Sequence, residues 1–240
     1  GCPLAEYFDL APNQVMRAAQ LGLDEIALNA KTPWLCAGCQ TCTVACKVEN
    51  MIPPGIFWGK VNDYEIGEYP DVRRRFLPVL CMHCKVAPCK EVCPTGATIQ
   101  RADGIVYIDQ DKCIGCGYCV VACPYDARKV YKKEVSYYGT PTVYEELSFD
   151  LRSPTQRHQI GVASKCTFCM EKIDGSVGKG LRVGVDPEAS PTCVNSCIAK
   201  ARYFGDLDDP DSEVSRLITE RRSLRLLEEL GTEPSVCYLV

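Results

Sequence analysis

Apolar and polar positions alternate with two different periods along the chain. In the N-terminal segment, apolar side chains recur about every 3.6 residues, at Val15, Met16, Ala19 and Leu23. Pro12 precedes this run, at a position that favours the first turn of a helix. We therefore expect a packing helix within residues 3–30.

A period of two appears over residues 97–109, A-T-I-Q-R-A-D-G-I-V-Y-I-D. Asp103 and Gly104 interrupt the alternation with a turn sequence, which predicts a β-hairpin. A second helix is predicted over residues 210–222, with Asp209 as its N-cap and Glu213 in its first turn.

Residues 47–80 contain many proline, glycine and aromatic residues and predict an irregular connection. Trp58, within this stretch, is expected to pack in the core. No apolar run approaches the roughly 18 residues needed to span a bilayer, so the sequence predicts no transmembrane segment of its own.

Composition identifies the chemistry: 18 of the 240 residues are cysteine. Disulfide frameworks are typical of short secreted domains, whereas a chain of this length can build a core without them. Thiolate ligation of metal is therefore the favoured use. The formal net charge of −4 gives the chain no overall basic field, and nucleic acid is not an expected partner.

Sixteen of the cysteines form four sets of four. The first set, C-x2-C-x2-C-x3-C, is Cys36, Cys39, Cys42 and Cys46. The second, with a middle gap of four, is Cys81, Cys84, Cys89 and Cys93. The third repeats the first spacing in Cys113, Cys116, Cys119 and Cys123. The fourth, with a middle gap of 23, is Cys166, Cys169, Cys193 and Cys197. Only Cys2 and Cys237 lie outside these sets.

This spacing is typical of Fe4S4 ligation. Three cysteines on a tight loop hold three corners of one cube, while the fourth ligates the other cube of a pair. Zinc uses two C-x2-C pairs and needs no third cysteine at i+6, so a zinc-bound interaction module is a weaker alternative. A disulfide framework would give no reason for repeated spacing. His83, inside C-M-H-C, is expected near a cluster or at the surface and not as a ligand.

From Cys36 onward the chain resembles the four-cluster iron–sulfur subunit of the molybdenum or tungsten pterin oxidoreductases of the dimethyl-sulfoxide-reductase family. The resemblance rests on the following motifs: C-A-G-C-Q-T-C-T-V-A-C-K (36–47), C-M-H-C-K-V-A-P-C-K-E-V-C-P-T-G-A (81–97), C-I-G-C-G-Y-C-V-V-A-C-P-Y-D-A-R (113–128), K-C-T-F-C (165–169) and P-T-C-V-N-S-C-I-A-K-A-R-Y-F-G-D (191–206). The stretches around Cys169 and before Cys193 most resemble the phenylacetyl-CoA:acceptor oxidoreductase and sulfur-compound reductase branches.

The resemblance implies four 4Fe-4S clusters at sites that we number 1 to 4. Site 1 consists of Cys36, Cys39, Cys42 and Cys197. Site 2 consists of Cys46, Cys166, Cys169 and Cys193. Site 3 consists of Cys81, Cys84, Cys89 and Cys123. Site 4 consists of Cys93, Cys113, Cys116 and Cys119. No catalytic residue is expected.

The implied fold is α+β, with two interleaved dicluster modules like bacterial ferredoxin, short β-hairpins, a helical N-terminal segment and an extended C-terminal docking tail. The expected organisation is a helical segment (1–35), the first half of an outer module (36–80), a complete inner module (81–130), an insertion (131–165), the second half of the outer module (166–205) and the docking tail (206–240).

The N-terminal segment instead resembles the C subunit of heterodisulfide reductase, in which a helical linker joins two cysteine motifs. In that pattern Cys2 would close the cluster on the first set. Cys2 thus competes with Cys197, which is favoured because the sixteen grouped cysteines then complete four sites.

The implied function is a non-catalytic electron-transfer subunit of an oxidoreductase complex. Its expected partners are a catalytic subunit with a molybdenum or tungsten bis-pterin cofactor and a membrane anchor that reacts with quinone. Location would be at a membrane through those partners, or cytoplasmic. A heterodisulfide-reductase-like subunit and a free-standing polyferredoxin carrier are the alternatives. Lysines beside ligands, namely Lys47, Lys85, Lys112 and Lys165, could raise cluster potentials, contact a partner or be ordinary solvated side chains.

Overall fold

The protein is described by a computed structural model over residues 40–133, 156, 158–176 and 178–239. The predicted helix within residues 3–30 lies outside the described residues. So do Cys2, Cys36 and Cys39.

The described chain contains short elements separated by tight turns. The helices are α1 (Thr41–Glu49), α2 (Pro88–Glu91), α3 (Tyr118–Val121), α4 (Met170–Ser176), α5 (Thr192–Asn195) and α6 (Glu213–Glu220). The strands are β1 (Gly59–Ile66), β2 (Arg73–Leu80), β3 (Thr98–Gln100), β4 (Val106–Ile108), β5 (Lys129–Val130), β6 (Ala163–Ser164), β7 (Ser223–Leu224) and β8 (Tyr238–Leu239). Single 3-10 turns occupy Pro187–Ala189 and Glu228–Leu230.

The strands pair in sequence order as four antiparallel two-stranded sheets within the described ranges. The predicted hairpin is confirmed, because β3 pairs with β4 and Thr98 lies opposite Ile108. Its turn is stabilised by Asp103, whose carboxylate accepts a hydrogen bond from the Ile105 amide at 3.1 Å. Such an Asx turn explains why Asp-Gly was informative in the sequence.

The expectation of an irregular connection over residues 47–80 is wrong for residues 59–80, whereas residues 50–58 contain no helix or strand, as expected. β1 and β2, each eight residues long, form a regular hairpin over residues 59–80, with Gly59 opposite Leu80 and Ile66 opposite Arg73. The glycine and proline residues that suggested irregularity include Gly67 and Pro70, which lie in the loop between the strands. A two-stranded sheet has only edge strands, so it also tolerates a proline within β2.

The C-terminal helix is present but begins later than the sequence predicted. α6 starts at Glu213, and Ser212 is its N-cap, accepting a hydrogen bond from the Ser215 amide at 3.2 Å. Asp209, the expected cap, instead accepts from the Asp211 amide in the preceding turn. Both residue types accept backbone hydrogen bonds readily, so the sequence alone did not distinguish them.

A small core joins the middle of the chain to the segment around the fourth cysteine set. It contains Ile52, Trp58, Tyr131 and two cysteines, Cys81 and Cys166. The Trp58 indole N–H donates to the Ser164 hydroxyl at 3.2 Å. The packing role expected for Trp58 is therefore confirmed.

Each C-x3-C pair of cysteines lies on or just beyond a helical turn. Examples are Cys42 and Cys46 on α1, and Cys119 on α3 with Cys123 after it. Residues four apart on one helix lie on the same face, as Cys42 and Cys46 do on α1. α1 contacts α5, and α2 contacts α3.

The C-terminal residues run along the loop of the second cysteine set. The Lys85 amide donates to the Glu233 carbonyl at 2.9 Å, and the Ser235 amide donates to the Met82 carbonyl at 2.9 Å. The Tyr238 hydroxyl donates to the Pro78 carbonyl at 2.8 Å. Among the described residues, no helix is both long and apolar enough to cross a bilayer.

Candidate iron–sulfur centres

The structure brings the four cysteines of site 4 to one pocket. That pocket is lined by Cys93, Cys113, Cys116 and Cys119, together with Thr98 and Arg128. Burial raises the pKa of the Cys93 thiol, but hydrogen bonds from the backbone and side chains of Thr98 and Thr95 outweigh it and lower the pKa to about 7. Donors that stabilise a thiolate are suited to a metal ligand.

The loop of site 4 depends on close backbone packing. Gly115, between two of the cysteines, has a φ of +68°, and a Cβ built on it would lie 1.7 Å from the Gly161 carbonyl oxygen. Only glycine fits this position. The loop is therefore held against the segment that precedes β6.

The thiols of site 3 are also mutual neighbours. The pKa of Cys84 is raised to about 11; burial is the largest cause, the nearby thiols of Cys81, Cys89 and Cys123 also raise it, and a hydrogen bond from Thr232 lowers it. The pKa of Cys89 is likewise raised, first by burial, with Cys81 and Cys123 among its neighbours. Four thiolates so close together would repel one another unless a cation lay between them.

Site 2 joins a cysteine on α1 to three from the fourth set. Burial raises the pKa of Cys46, and the neighbouring Cys193 and Cys169 thiols raise it further. Burial also raises the pKa of Cys166, followed by the effects of Cys46 and Cys193. The structure thus brings together residues up to about 150 positions apart in the chain, as the numbering shows.

Site 1 is described only through Cys42 and Cys197. Burial lowers the pKa of the Arg202 guanidinium, but the thiols of Cys193, Cys42 and Cys197 outweigh burial and raise it. Cys42 and Cys197 therefore lie around the same arginine. The amide of Ala201 donates to the Cys197 sulfur at 3.3 Å. Cys197 thus lies near Cys42 of the first set; Cys2, Cys36 and Cys39 lie outside the described residues.

All described cysteines are free thiols, with no disulfide among them. In the described ranges, no three His, Cys, Asp or Glu side chains converge closely enough to share one metal ion. Thiolates on one tetrahedral zinc lie about 3.8 Å apart, given Zn–S bonds of about 2.3 Å. The corners of a cube are separate iron atoms, so its ligands do not have to converge on a point.

Several buried polar atoms beside these cysteines have no hydrogen-bond partner within the described part of the chain. They are Thr43 Oγ1, Thr167 Oγ1, Ser196 Oγ, His83 Nε2 and Arg128 Nη2. The first four belong to residues next to a site cysteine, and Arg128 lines the site-4 pocket. Buried donors normally find an acceptor, and cluster sulfides or thiolates would supply one. The residues present therefore fit iron–sulfur clusters.

His83 was expected either near a cluster or at the surface. The structure excludes the surface position, because His83 is buried. Its ring is 1% exposed, and Nδ1 accepts a hydrogen bond from the Val106 amide at 3.0 Å. Burial lowers its pKa well below the usual value. A neutral imidazole that packs beside Cys84 fits a supporting role and not ligation.

Of the four lysines singled out in the sequence, only Lys165 is deeply buried. Lys47 donates to the carbonyls of Pro53 and Ile56, at 3.0 and 2.6 Å. Lys85 pairs with Glu233 at the surface at 3.6 Å. Lys112 pairs with Asp109 at 2.9 Å.

Arg128 and Arg202, which the structure places among the thiols, were not predicted from the sequence as site residues. Each follows the last cysteine of its set by five positions, in C-P-Y-D-A-R and C-I-A-K-A-R. This shared offset was the available signal. Its meaning depends on the tertiary packing that turns both side chains inward.

Comparison with known proteins agrees with this geometry. Residues 72–138 match a family described as a 4Fe-4S dicluster domain. A selenate reductase subunit of Mesobacillus selenatarsenatis is 43% identical over 95% of this chain and 76% of its own length. Because that match covers 95% of the chain, it extends into residues 1–35, which were expected to depart from the family.

Two further relatives cover a smaller share of the chain. A tetrathionate reductase subunit of Salmonella typhimurium is 38% identical, over 85% of this chain and 68% of its own length. The arsenate respiratory reductase iron–sulfur subunit ArrB of a Shewanella species is 36% identical, over 85% and 92% respectively. The resemblance found in the sequence is confirmed: the chain belongs to the family of iron–sulfur electron-transfer subunits of the dimethyl-sulfoxide-reductase-type molybdenum oxidoreductases.

Proposed function

We propose that this subunit binds four 4Fe-4S clusters at sites 1 to 4, with the sixteen grouped cysteines as ligands. The observation that carries the proposal is that the described thiols of each of sites 2, 3 and 4 lie near one another. Those of site 4 line one pocket, and those of sites 2 and 3 act on one another electrostatically. When bound, each cluster exchanges one electron.

Helix contacts support two interleaved dicluster modules. The α1–α5 contact joins the first and fourth cysteine sets, and the α2–α3 contact joins the second and third. In this arrangement, residues 81–130 form the inner module, and the segments on either side form the outer one. In this proposal the protein supplies ligands, amide donors and fixed charges to the clusters. It does not act as a nucleophile or hold a metal with an open coordination position.

The proposed partners are a catalytic subunit with a molybdenum or tungsten bis-pterin cofactor and a membrane anchor that exchanges electrons with quinone. Relatives named as subunits of selenate and tetrathionate reductases support a multi-subunit complex. Association with the membrane would then occur through the anchor.

We place the outer module towards the catalytic subunit and the inner module towards the anchor. Beside site 4, the apolar side chains of Ile114, Tyr118 and Val121 are 68%, 62% and 88% exposed. Exposed apolar groups that cluster at one site are typical of interaction surfaces. They support a partner at the inner-module end.

Paired substitutions test the ligand groups. Cys93→Ser and Cys119→Ser, which change different cysteine sets, should abolish the same electron paramagnetic resonance (EPR) signal, because both thiols belong to site 4. Cys237→Ser, outside every site, should retain all signals. Loss of different signals in the two site-4 variants would overturn the grouping.

Co-purification tests the partners. The tagged subunit, expressed with the genes of its complex, should retain a large subunit that contains pterin and molybdenum or tungsten. Replacement of Val121 by Asp should release the anchor but retain that large subunit. Recovery of the subunit alone under mild conditions would favour a free-standing carrier.

A further inference from the structure

Three cationic side chains are withdrawn from solvent among the cysteine sites. Arg128 and Lys165 are each 1% exposed, and Arg202 is partly buried. Among the described residues, no Asp or Glu forms an ion pair with Arg128 or Lys165. Burial of an unpaired charge is costly, so these positions require another source of negative charge.

Arg128 lies between sites 3 and 4. It lines the pocket of site 4, and its Nη1 donates to the Thr98 hydroxyl at 3.0 Å. Burial lowers its pKa, but the thiols of Cys89, Cys119 and Cys81 outweigh burial and raise it. Two of these thiols belong to site 3 and one to site 4. Nη2 has no partner within the described part of the chain.

Lys165 lies between sites 2 and 3. Its ammonium donates to the Cys166 carbonyl at 2.6 Å and to the Val106 carbonyl. Its charge acts to lower the pKa of Cys166, in site 2, and of Cys89, in site 3. Burial has the larger effect at both thiols and raises the pKa of each. The backbone acceptors fix the ammonium in the gap between the two modules.

Arg202 lies between sites 1 and 2. Its guanidinium acts on Cys42 and Cys197 of site 1 and on Cys193 of site 2. The preceding residue, Ala201, donates its amide to the Cys197 sulfur, which fixes the backbone beside site 1. The neighbour order is therefore site 1, Arg202, site 2, Lys165, site 3, Arg128 and site 4.

We propose that Arg202, Lys165 and Arg128 are a series of fixed positive charges, one in each gap between neighbouring sites, that raises the midpoint potentials of the bound clusters. The inference rests on the four-cluster function proposed above. Each oxidised cluster with four thiolates carries a charge of about −2, and reduction adds one more negative charge. In a poorly solvated interior these charges repel strongly, and a cation between two sites offsets that repulsion.

The cations act through electrostatics and do not ligate iron. Removal of one should make an added electron less stable on the two adjacent clusters only. Loss of a partly screened charge should lower the equilibrium constant for reduction of those clusters by about tenfold or more. For a one-electron couple, tenfold corresponds to about 59 mV towards lower potential.

The test is an EPR-monitored redox titration of the iron-loaded full chain. In Arg128→Gln, two of the four cluster signals should shift to lower potential and the other two should stay. Arg202→Gln should shift the complementary pair. Arg128→Lys keeps the charge and should hold the potentials close to those of wild type. Arg101→Gln removes a guanidinium that pairs with Asp174 at the surface and should change no potential.

The possible failures are distinguishable. A wild-type chain with fewer than about twelve irons would contradict the four-cluster function itself. About sixteen irons in wild type and in both Gln variants, with unchanged potentials, would overturn only the role of the cations. If Arg128→Gln fails to bind all clusters, Arg202→Gln decides the question. Unchanged potentials in Arg202→Gln would overturn the proposal, and a shift of two signals in that variant would support it.

Discussion

The imidazole ring of His83 stacks on the phenyl ring of Phe168, with their centroids 3.7 Å apart and their planes 18° from parallel. Each residue occupies the same position in its own motif, C-M-H-C or C-T-F-C, immediately before the second cysteine. Both have positive φ, +43° for His83 and +55° for Phe168. The loops that carry cysteines of sites 3 and 2 therefore meet through equivalent residues.

This stack should contribute to the stability of the loaded protein. Replacement of Phe168 by Ala removes the ring contact with His83 and an edge contact with Phe204 at 5.2 Å. Since Phe168 is only partly buried, we expect a loss of about 2 kcal/mol, below the range for fully buried Phe. The measurement is the urea concentration at which visible cluster absorption disappears.

Tyr69→Ala is the matched control for this aromatic truncation, because Tyr69 is 93% exposed. It should leave the urea midpoint unchanged. Equal effects of the two substitutions would show that the stack does not stabilise the contact between the modules.

The close approach of Gly115 to Gly161 predicts that a larger residue at position 115 will disturb site 4. In Gly115→Ala, the new methyl group would overlap the Gly161 carbonyl, and the residue would also keep an unfavourable positive φ. The site-4 loop should then be displaced, and the variant should retain about twelve of about sixteen irons. Iron analysis after anaerobic purification measures this directly.

Gly104→Ala provides the control. Gly104 also has a positive φ, +81°, but a Cβ there has no atom within 4 Å. It should lose only about 1 kcal/mol from backbone strain and keep all its iron. Full iron content in Gly115→Ala would contradict the geometry described for the loop.

An ion pair links the inner-module hairpin to α4. The two guanidinium nitrogens of Arg101 donate to the Asp174 carboxylate at 2.8 and 2.6 Å. The pair holds the pKa of Asp174 below its usual value, and Asp174 is 51% exposed. Replacement of Asp174 by Asn should therefore cost about 0.5–1 kcal/mol, as for other exposed pairs.

The pH dependence follows from the direction of that shift. A lowered pKa in the folded state gives stability that is complete above the unfolded value of about 3.9 and is lost as pH falls through the folded value. Between pH 6 and 9 the difference between wild type and Asp174→Asn should hence be constant. A difference that titrates within this range would indicate another ionising group.

The sequence predicted the parts of the site that follow from local spacing. The four cysteine sets follow from local spacing, whereas their pairing into sites 1 to 4 was implied by the family resemblance and stays a prediction. Asp103 and Gly104 located the β3–β4 turn correctly because that turn is closed by its own residues. Local chemistry was sufficient in these cases.

The sequence did not predict the β1–β2 hairpin, the inward position of two arginines or the cap at Ser212. Residues 59–80 contain turn-forming residues and two prolines, but pairing across the hairpin outweighs their weak strand propensity. Arg128 and Arg202 looked like ordinary charged residues, and only the fold shows that they point towards two sites each. The cap at Ser212 was decided by where the preceding turn ends.

The most direct test of the central claim is the amount of iron and acid-labile sulfide per chain, measured on protein purified without oxygen. Four cubes require about sixteen atoms of each per subunit, and low-temperature EPR after reduction should show interacting 4Fe-4S centres. That result would support sites 1 to 4 as described. Fewer than about twelve irons per chain, or metal without labile sulfide, would contradict the account.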